Sequence, residues 1–195
     1  MQKSFTKRAH TSPGFTILEL VVAVAVILII SAIALPGAMA TLRAYRLAGS
    51  ARAIAHQVSL ARLRAETEFT NAQLVINPAT NTYSLQVCTT AGKANTCTTP
   101  DDYNNEGGIQ PLSQGISFGL GAAATAAAGQ TPMSQTLQTR FNSRGIPILL
   151  DGSGDTNPND VIYLADDQGH AFAVSVTVGG HTRVWQYSAG GWTQQ

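Results

Sequence analysis

The chain has 195 residues, a formal net charge of +1 at pH 7, and only 12% charged residues. An average soluble domain has about 25% charged residues, so this composition is unusually poor in charge. The hydrophobic content of 44% excludes an intrinsically disordered chain. The glycines follow no collagen-like period, and the length accommodates one domain with one appended segment.

Charge is unevenly distributed along the chain. The first 14 residues carry three basic residues and no acid, and residues 41–69 carry five arginines against two glutamates. From residue 70 onward, four basic residues face eight acidic ones. The C-terminal part is therefore acidic, and the global charge predicts no attraction to nucleic acid.

Residues 15–34 read FTILELVVAVAVILIISAIA and contain three polar residues, Thr16, Glu19 and Ser31. A helix of about 20 residues spans about 30 Å, the hydrocarbon thickness of a bilayer, so residues 15–36 are predicted to be a transmembrane helix. The basic residues before it predict a cytoplasmic N-terminus and a C-terminal part beyond the membrane. A cleaved secretory signal ending near Ala38-Met39-Ala40 is the alternative, but its apolar core is usually about 7 to 15 residues long.

Glu19 is an acidic residue inside this apolar run. A carboxylate near the centre of a membrane helix costs about 2.5 to 3.5 kcal/mol and less near the interface, and such residues usually have a partner. Glu19 either lies at headgroup level or pairs with a cation. If the chain is cut after Gly14, Phe15 gains a free amine close to Glu19, and the two charges can pair between adjacent copies.

The stretch Gly14-Phe15-Thr16-Ile17-Leu18-Glu19-Leu20, behind a short basic leader, resembles the class III signal of type IV pilins and pseudopilins. The resemblance implies that residues 1–14 are a leader and that a prepilin peptidase cuts between Gly14 and Phe15. It also implies N-methylation of Phe15. It further implies that Glu19 sets the position of each new subunit in a growing filament. The partners of the chain are then other pilins or pseudopilins.

Beyond Pro36-Gly37, apolar residues recur every three or four positions: Leu47, Ala51, Ile54, Val58, Ala61 and Ala65. This spacing predicts that residues 37–69 form an amphipathic continuation of the helix. The proline predicts a bend or local break within residues 32–37. The arginines beside the apolar stripe are either solvated, or contact acidic lipid or the acidic domain of a neighbour.

Residues 70–195 are predicted to form a β-rich globular domain. Alternating apolar residues and turn residues predict strands at 73–76, 82–88, 116–120, 136–141, 160–165, 171–178 and 182–187. Residues 166–169 and Gly179-Gly180 predict tight hairpins. The fold class is therefore α+β, with a long N-terminal helix packed on an antiparallel sheet, as in pilins. Residues 119–129 are predicted to be a mobile connection where a filament partner docks.

Among pilin-like proteins the chain resembles minor pseudopilins of the GspH/FimT type. The resemblance rests on Arg140-Phe141-Asn142-Ser143-Arg144-Gly145, on Asp160-Val161-Ile162-Tyr163-Leu164, and on Gly180-His181-Thr182-Arg183. In FimT-like members that take up DNA, a basic C-terminal stretch is the proposed contact, so Arg183 and His181 are the matching candidates here. Because His181 replaces an arginine and the domain is acidic, DNA binding is disfavoured.

Cys88 and Cys97 are the two cysteines of the chain. Oxidising conditions beyond the inner membrane favour a disulfide between them, which stabilises the fold by about 2 to 3 kcal/mol. Two thiols without clustered histidines make a poor zinc site, and no metal ligand is predicted. Residues 151–160 place oxygen side chains at alternate positions as calcium loops do, but lack the glycine and the closing glutamate, so a solvated loop is favoured.

No known catalytic fingerprint occurs in the sequence. His170 and His181 flank one predicted hairpin near Asp166 and Asp167, without a nucleophile. We therefore expect no enzyme, no catalytic residue and no cofactor. The resemblance implies a minor pseudopilin of a type II secretion system, anchored in the bacterial inner membrane with its C-terminal domain in the periplasm. The alternative is a FimT-like minor type IV pilin for pilus assembly or DNA uptake.

Overall fold

The computed structural model describes residues 14–89, 97, 102–148 and 160–195. The predicted calcium-like loop lies outside these residues except for Asp160, and so does the predicted leader except for Gly14. The chain divides into two compact units, Met1–Thr41 and Leu42–Gln195.

A single helix, α1, runs from Ile17 to Thr67 over 51 residues. It is continuous through Leu35-Pro36-Gly37, so of the bend or local break predicted within residues 32–37, the local break is wrong. The turns on both sides of Pro36 are helical. In one of these turns the Thr41 hydroxyl donates to the Gly37 carbonyl at 3.0 Å.

The C-terminal end of α1 is closed by a residue in the left-handed conformation. Phe69 has φ +51°, and the N–H of Thr70 donates to the Ala65 carbonyl at 3.2 Å. This is the hydrogen bond of a Schellman motif, whose left-handed position is usually glycine. The Phe69 side chain is 74% exposed, so little packing offsets the strain of this conformation.

Among the described residues, ten strands follow the helix, most of them short: β1 (Ala72–Asn77), β2 (Thr82–Cys88), β3 (Tyr103–Pro111), β4 (Ile116–Phe118), β5 (Gln138–Phe141), β6 (Pro147–Ile148), β7 (Asp160–Asp166), β8 (Ala171–Val176), β9 (Thr182–Ser188) and β10 (Gly191–Gln194). They form a first sheet of order β3-β2-β1-β5-β6 and a second sheet of order β10-β9-β8-β7-β4. All pairings are antiparallel. The α+β class with antiparallel strands is confirmed, but the strands form two sheets where one was predicted.

The seven predicted strands are all present, with ends shifted by at most two residues. The two predicted hairpins are also present, between β7 and β8 and between β8 and β9. Strands β3, β6 and β10 were missed. The sequence of β3, YNNEGGIQP, has few β-forming residues, and its extended conformation depends on pairing with β2.

The predicted apolar stripe of α1 is confirmed, since every one of its six members is at most 1% exposed: Leu47, Ala51, Ile54, Val58, Ala61 and Ala65. These residues share one core cluster with Leu74 and Phe141 of the first sheet and with Leu164 and Val174 of the second. Burying each large aliphatic side chain contributes about 1.5 to 3 kcal/mol. The second half of the helix therefore holds both sheets on one side.

The connection at residues 119–129 packs on the opposite face of the second sheet. It contains a short 3₁₀ turn, Ala127–Gly129, and Ala127 is fully buried. The Ala127 N–H donates to the Tyr163 hydroxyl at 3.1 Å, and that hydroxyl donates to Oε1 of Gln130 at 2.8 Å. Tyr163 therefore attaches this stretch to the second sheet at Ala127, whereas its mobility stays a prediction.

Candidate functional site

Thr16 caps the N-terminal end of α1. Its Oγ1 accepts the N–H of Glu19 at 3.2 Å, and its carbonyl accepts the N–H of Leu20 at 3.2 Å. Thr16 and Glu19 have the spacing of a capping box, in which a threonine at the N-cap and a glutamate three residues later serve the free N–H groups of the first turn. Gly14 and Phe15 directly precede this cap, and Phe15 is 84% exposed.

The carboxylate of Glu19 lies in the first turn of α1. The positive end of the helix dipole favours an acid there by about 0.3 to 1 kcal/mol. Among the described residues no ion pair involves Glu19. The carboxylate is therefore available to a cation that another molecule brings to this end of the helix.

The first half of α1 is unburied. By length and composition α1 is able to cross a membrane, and no side chain of its most apolar stretch is buried within the chain. Ile17, Leu18 and Ile33 are each more than 70% exposed. Leaving so much apolar surface in water is unfavourable, so this segment needs lipid or other helices around it.

A second constellation joins two turns of the sheets to α1. Nε of Arg62 donates to Oε1 of Glu66 at 3.0 Å, and Nη1 of Arg62 donates to the Gly180 carbonyl at 3.2 Å. A Cβ on Gly145 would collide with the Glu66 carboxylate, and a Cβ on Gly180 would lie 2.6 Å from the Gly145 carbonyl oxygen. Both glycines have positive φ. We call these four residues, Arg62, Glu66, Gly145 and Gly180, the glycine clamp.

The glycine clamp gives a structural reason for part of the sequence motif. Gly145 ends the first motif segment and Gly180 begins the last, and the structure brings both against one ion pair of the helix. Sequence reasoning missed Arg62 and Glu66 as members of this site. Opposite charges four residues apart on a helix indicate an ion pair, but nothing in the sequence indicates which turns would pack over it.

His181 and Arg183, the candidate DNA contacts, lie in different clefts. His181 lines a cleft of about 430 Å³ beside Ser59 and Arg62, on the side of the helix. Arg183 lines a cleft of about 520 Å³ beside Trp185 and Trp192. Side chains alternate along β9, and Val184 packs into the core with the helix, so Arg183 and Trp185 project from the opposite face. The structure does not bring the two candidates together.

A disulfide joins Cys88 and Cys97, whose Cα atoms are 6.1 Å apart. Nη1 of Arg140, a side chain only 5% exposed, donates to the Cys97 carbonyl at 3.4 Å. The guanidinium lies 5.2 Å from the ring centre of Tyr103, whose hydroxyl donates to the same carbonyl at 3.3 Å. Arg140 on β5 thus fixes Cys97 to the first sheet.

From Arg140 a row of side-chain hydrogen bonds crosses the first sheet. Nε of Arg140 donates to Oε1 of Gln73 at 3.0 Å, and Nε2 of Gln73 donates to Oε1 of Gln86 at 2.8 Å. Nε2 of Gln86 then donates to Oδ1 of Asn105 at 3.1 Å. These residues are direct cross-strand partners on β5, β1, β2 and β3. Such pairs stabilise sheets, and they account for these polar side chains without assigning them to a binding site.

The predicted His and Asp constellation is a turn between β7 and β8. Nδ1 of His170 lies 2.7 Å from Oδ2 of Asp166, and Oδ1 accepts the N–H groups of Gln168 and His170. Burial alone would raise the pKa of Asp166, but these hydrogen bonds outweigh burial and leave the pKa lowered. Within the described ranges, no three His, Cys, Asp or Glu residues are grouped as metal ligands.

Asp160, the first residue of β7, is 2% exposed. Burial raises the pKa of its carboxyl group to about 7, although the Thr139 hydroxyl beside it favours the ionised form. This carboxyl group is therefore partly protonated near neutral pH. It lies at the start of β7 in the second sheet, and we assign it no functional role.

No family model matches the chain, and no curated protein matches it either. Two solved structures of the minor pseudopilin EpsH from the type 2 secretion system of Vibrio cholerae are similar to it. One has a TM-score of 0.47 and 10% identity, covering 71% of this chain and 95% of that chain. The other has a TM-score of 0.44 and 13% identity, covering 71% and 92%. This likeness is modest, and the function proposed below rests on residues of this chain.

Proposed function

We propose that the chain is a minor pseudopilin of a type II secretion system, a structural filament subunit to which we assign no catalytic residue. The observation that carries this proposal is the N-terminal end of α1. There Gly14-Phe15 directly precedes a capped helix, in which Glu19 has no ion pair with a described residue and the apolar first half is unburied. A filament of packed helices satisfies both the carboxylate and the apolar surface.

In this proposal, a prepilin peptidase hydrolyses the amide bond between Gly14 and Phe15. Water adds across the bond, so that Gly14 keeps the new carboxylate and Phe15 keeps the new amine. The amine then takes a methyl group from a sulfonium methyl donor, which leaves as a thioether, and the nitrogen loses one proton. The amine lies one residue before the Thr16 cap, at the positive end of the helix dipole. The amine and the helix dipole both place positive charge at this end of the helix, which favours a nearby anion. The carboxylate of Glu19 in an adjacent subunit is that anion.

The position of Glu19 in the first turn of α1 suits an acidic residue before assembly. Its position in the first turn is favourable locally, which lowers the cost of holding an acid near the membrane surface. An amine of a neighbouring subunit offers a full charge in a medium of low dielectric constant, where the attraction is much stronger than in water. Pairing then selects the register in which the two helix ends are level.

The first half of α1 is proposed to anchor the subunit in the inner membrane, with residues 70–195 in the periplasm. On assembly, its apolar side chains exchange lipid contacts for contacts with neighbouring helices. Transfer between two apolar surroundings changes the free energy little, so packing and the Glu19 ion pair decide the outcome. The buried stripe of the second half stays with its own sheets and does not take part in this exchange.

A FimT-like role in DNA binding is the second candidate. One observation favours it: Arg183 is exposed and forms no ion pair with any described residue. Double-stranded DNA is held by several cations that contact successive phosphates. Because His181 lies in another cleft, Arg183 offers a single contact, and the secretion role is favoured.

The processing step is tested by coexpressing the full chain with a prepilin peptidase and measuring the mass of the membrane-extracted protein. The expected product lacks residues 1–14 and carries one additional methyl group. Gly14→Val is the matched variant, because it blocks the cleavage site without altering the helix. A mature protein that begins elsewhere in the wild-type chain would refute the proposal.

A further inference from the structure

The cleft that contains Arg183 lies on the face of the second sheet opposite α1. Strands β8 and β9 form its floor, and residues 125–129 form one wall. The connection at residues 119–129 covers Tyr163 and Val161 on this face, and the cleft lies beside it, over Arg183 and Trp185. An open groove of about 520 Å³ therefore remains where the cover ends.

Two tryptophans present their rings to this groove while their polar atoms are satisfied within the fold. Nε1 of Trp185 donates to the Ser175 hydroxyl at 2.8 Å, and Nε1 of Trp192 donates to the Thr125 carbonyl at 2.7 Å. The Trp192 ring is further held by Tyr163 and Tyr187, at centroid distances of 5.7 and 5.1 Å. The indoles are thus pre-positioned apolar surfaces, which bind a partner with little loss of side-chain entropy.

Arg183 is the single charged residue among the described residues that line the groove. It has no ion pair with a described residue, whereas Arg43 and Arg62 each have one and Arg64 has two. A guanidinium beside indole rings, next to the exposed apolar side chain of Val178, complements an anion attached to an apolar group. The same described lining offers no carboxylate or side-chain amide, groups that commonly hold sugar hydroxyls.

We propose that this groove binds an extended peptide segment of a partner protein, with an apolar side chain between Trp185 and Trp192 and a neighbouring carboxylate on Arg183. The kind of partner follows from the location of the groove within a filament, and this step rests on the proposed function. The second half of α1 covers the other face of the sheet, so a filament built on helix packing leaves the groove facing outward. The partner is then held by this domain and not by the helix bundle.

The probe is an array of acetylated and amidated heptapeptides that combine one aromatic or aliphatic residue with one Asp or Glu at spacings of one to three. A matched array replaces each acid by its amide. Fluorescently labelled full chain in detergent micelles is applied to both. We expect binding to a subset of the acidic peptides and weaker binding to their amide counterparts. The proposal would be overturned if no acidic peptide bound more strongly than its amide counterpart.

Dissociation constants of the best peptides are then measured by fluorescence anisotropy with two variants. Arg183→Gln, at an exposed position, should weaken binding about tenfold, the loss of one hydrogen-bonded charge pair. Arg144→Gln, an exposed arginine outside the groove, should leave it unchanged. Equal losses in both variants would contradict the proposal, since they would indicate general electrostatic attraction.

A double-stranded oligonucleotide is included as a competitor. Suppose that DNA displaces the peptide at a concentration below that of the peptide itself, in a way that Arg183→Gln abolishes. In that case nucleic acid would be the occupant of the groove, and the inference would be overturned. Because the assay uses the isolated chain in micelles, it does not depend on leader cleavage or filament assembly. A negative peptide result with normal processing refutes only the groove, and normal peptide binding with failed processing refutes only the proposed filament role.

Discussion

Arg62 on the helix donates a hydrogen bond from Nη1 to the carbonyl oxygen of Gly180, 118 positions later in the chain, at 3.2 Å. The same guanidinium holds Glu66, whose carboxylate lies against Gly145. One ion pair thus joins the turn between β5 and β6 in the first sheet to the turn between β8 and β9 in the second. The two sheets are fixed relative to each other through the helix that they share.

Gly145→Ala should destabilise the domain by about 2 to 4 kcal/mol, the cost of a left-handed alanine plus the collision with Glu66. Gly190→Ala is the matched control: Gly190 also has positive φ, but a Cβ there meets nothing within 4 Å. It should cost only about 1 kcal/mol. Urea unfolding of the full chain in micelles, followed by tryptophan fluorescence, measures both. Equal losses would show that Glu66 moves away freely and that the glycine clamp does not require a glycine.

Phe69→Gly should stabilise the domain by about 0.5 to 1 kcal/mol. Phe69 occupies the left-handed position after α1 and is 74% exposed, so glycine relieves backbone strain while little packing is lost. Leu63→Gly, at an exposed position inside the helix, should instead destabilise by about 1 kcal/mol. Thermal unfolding by circular dichroism compares the two. A lower melting temperature for Phe69→Gly would mean that the ring contributes packing that the cap geometry does not reveal.

Glu19→Gln should leave membrane insertion intact and strongly reduce incorporation into sheared filaments, because the amide keeps the size of the side chain but removes the charge that attracts the neighbouring amine. Ser31→Ala, a polar change in the same segment, should have no comparable effect. Immunoblots of membrane and filament fractions measure both steps. Normal incorporation of Glu19→Gln would contradict the pairing mechanism while leaving leader processing unaffected.

Asp160→Asn should stabilise the domain at pH 8 and have little effect near pH 3. The folded pKa of Asp160 is raised to about 7 from an ordinary value of 3.8, so its contribution to stability is fully present below pH 3.8 and is lost as the pH rises towards 7. With about 1.4 kcal/mol per pKa unit, a gain of about 1 to 2 kcal/mol at pH 8 is a conservative expectation. Urea unfolding between pH 3 and pH 8 tests this.

The pKa shift of Asp166 has the opposite sign to that of Asp160, so Asp166 serves as an internal comparison. Its folded pKa is lowered, so its contribution is present above pH 3.8 and is lost as the pH falls through the folded value. In Asp160→Asn the acid-side loss of stability should therefore remain while the loss between pH 4 and pH 7 disappears. If the loss of stability between pH 4 and pH 7 persisted in Asp160→Asn, another titratable group would be its cause.

The helix and the residues at its start were predictable because their signals are local. The spacing of Leu47 to Ala65 repeats with the helical period, so the buried stripe follows from sequence alone. Likewise, Thr16 and Glu19 stand at the spacing of a capping box. The turn glycines before β9 were also recognisable, since few other residues adopt positive φ readily.

The paths of the weaker strands were not predictable. Strand β3 follows the cystine loop and carries two glycines, and it is extended because β2 offers it partners. The connection at residues 119–129 looks featureless in sequence, yet Tyr163 gives it a buried position and a hydrogen bond. In both cases the stabilising partner lies far along the chain, where periodicity carries no information.

For the candidate site, the sequence alone determined the apolar run, the acid within it and the glycine and phenylalanine that precede it, because all of these are properties of neighbouring residues. Only the tertiary structure decided that Gly145 and Gly180 meet over Arg62, and that Arg183 joins two tryptophans and not His181. Those relationships depend on which strands pair and which face each side chain takes. Strand pairing is set by burial against the helix, a long-range contribution to the free energy that no short stretch of sequence specifies.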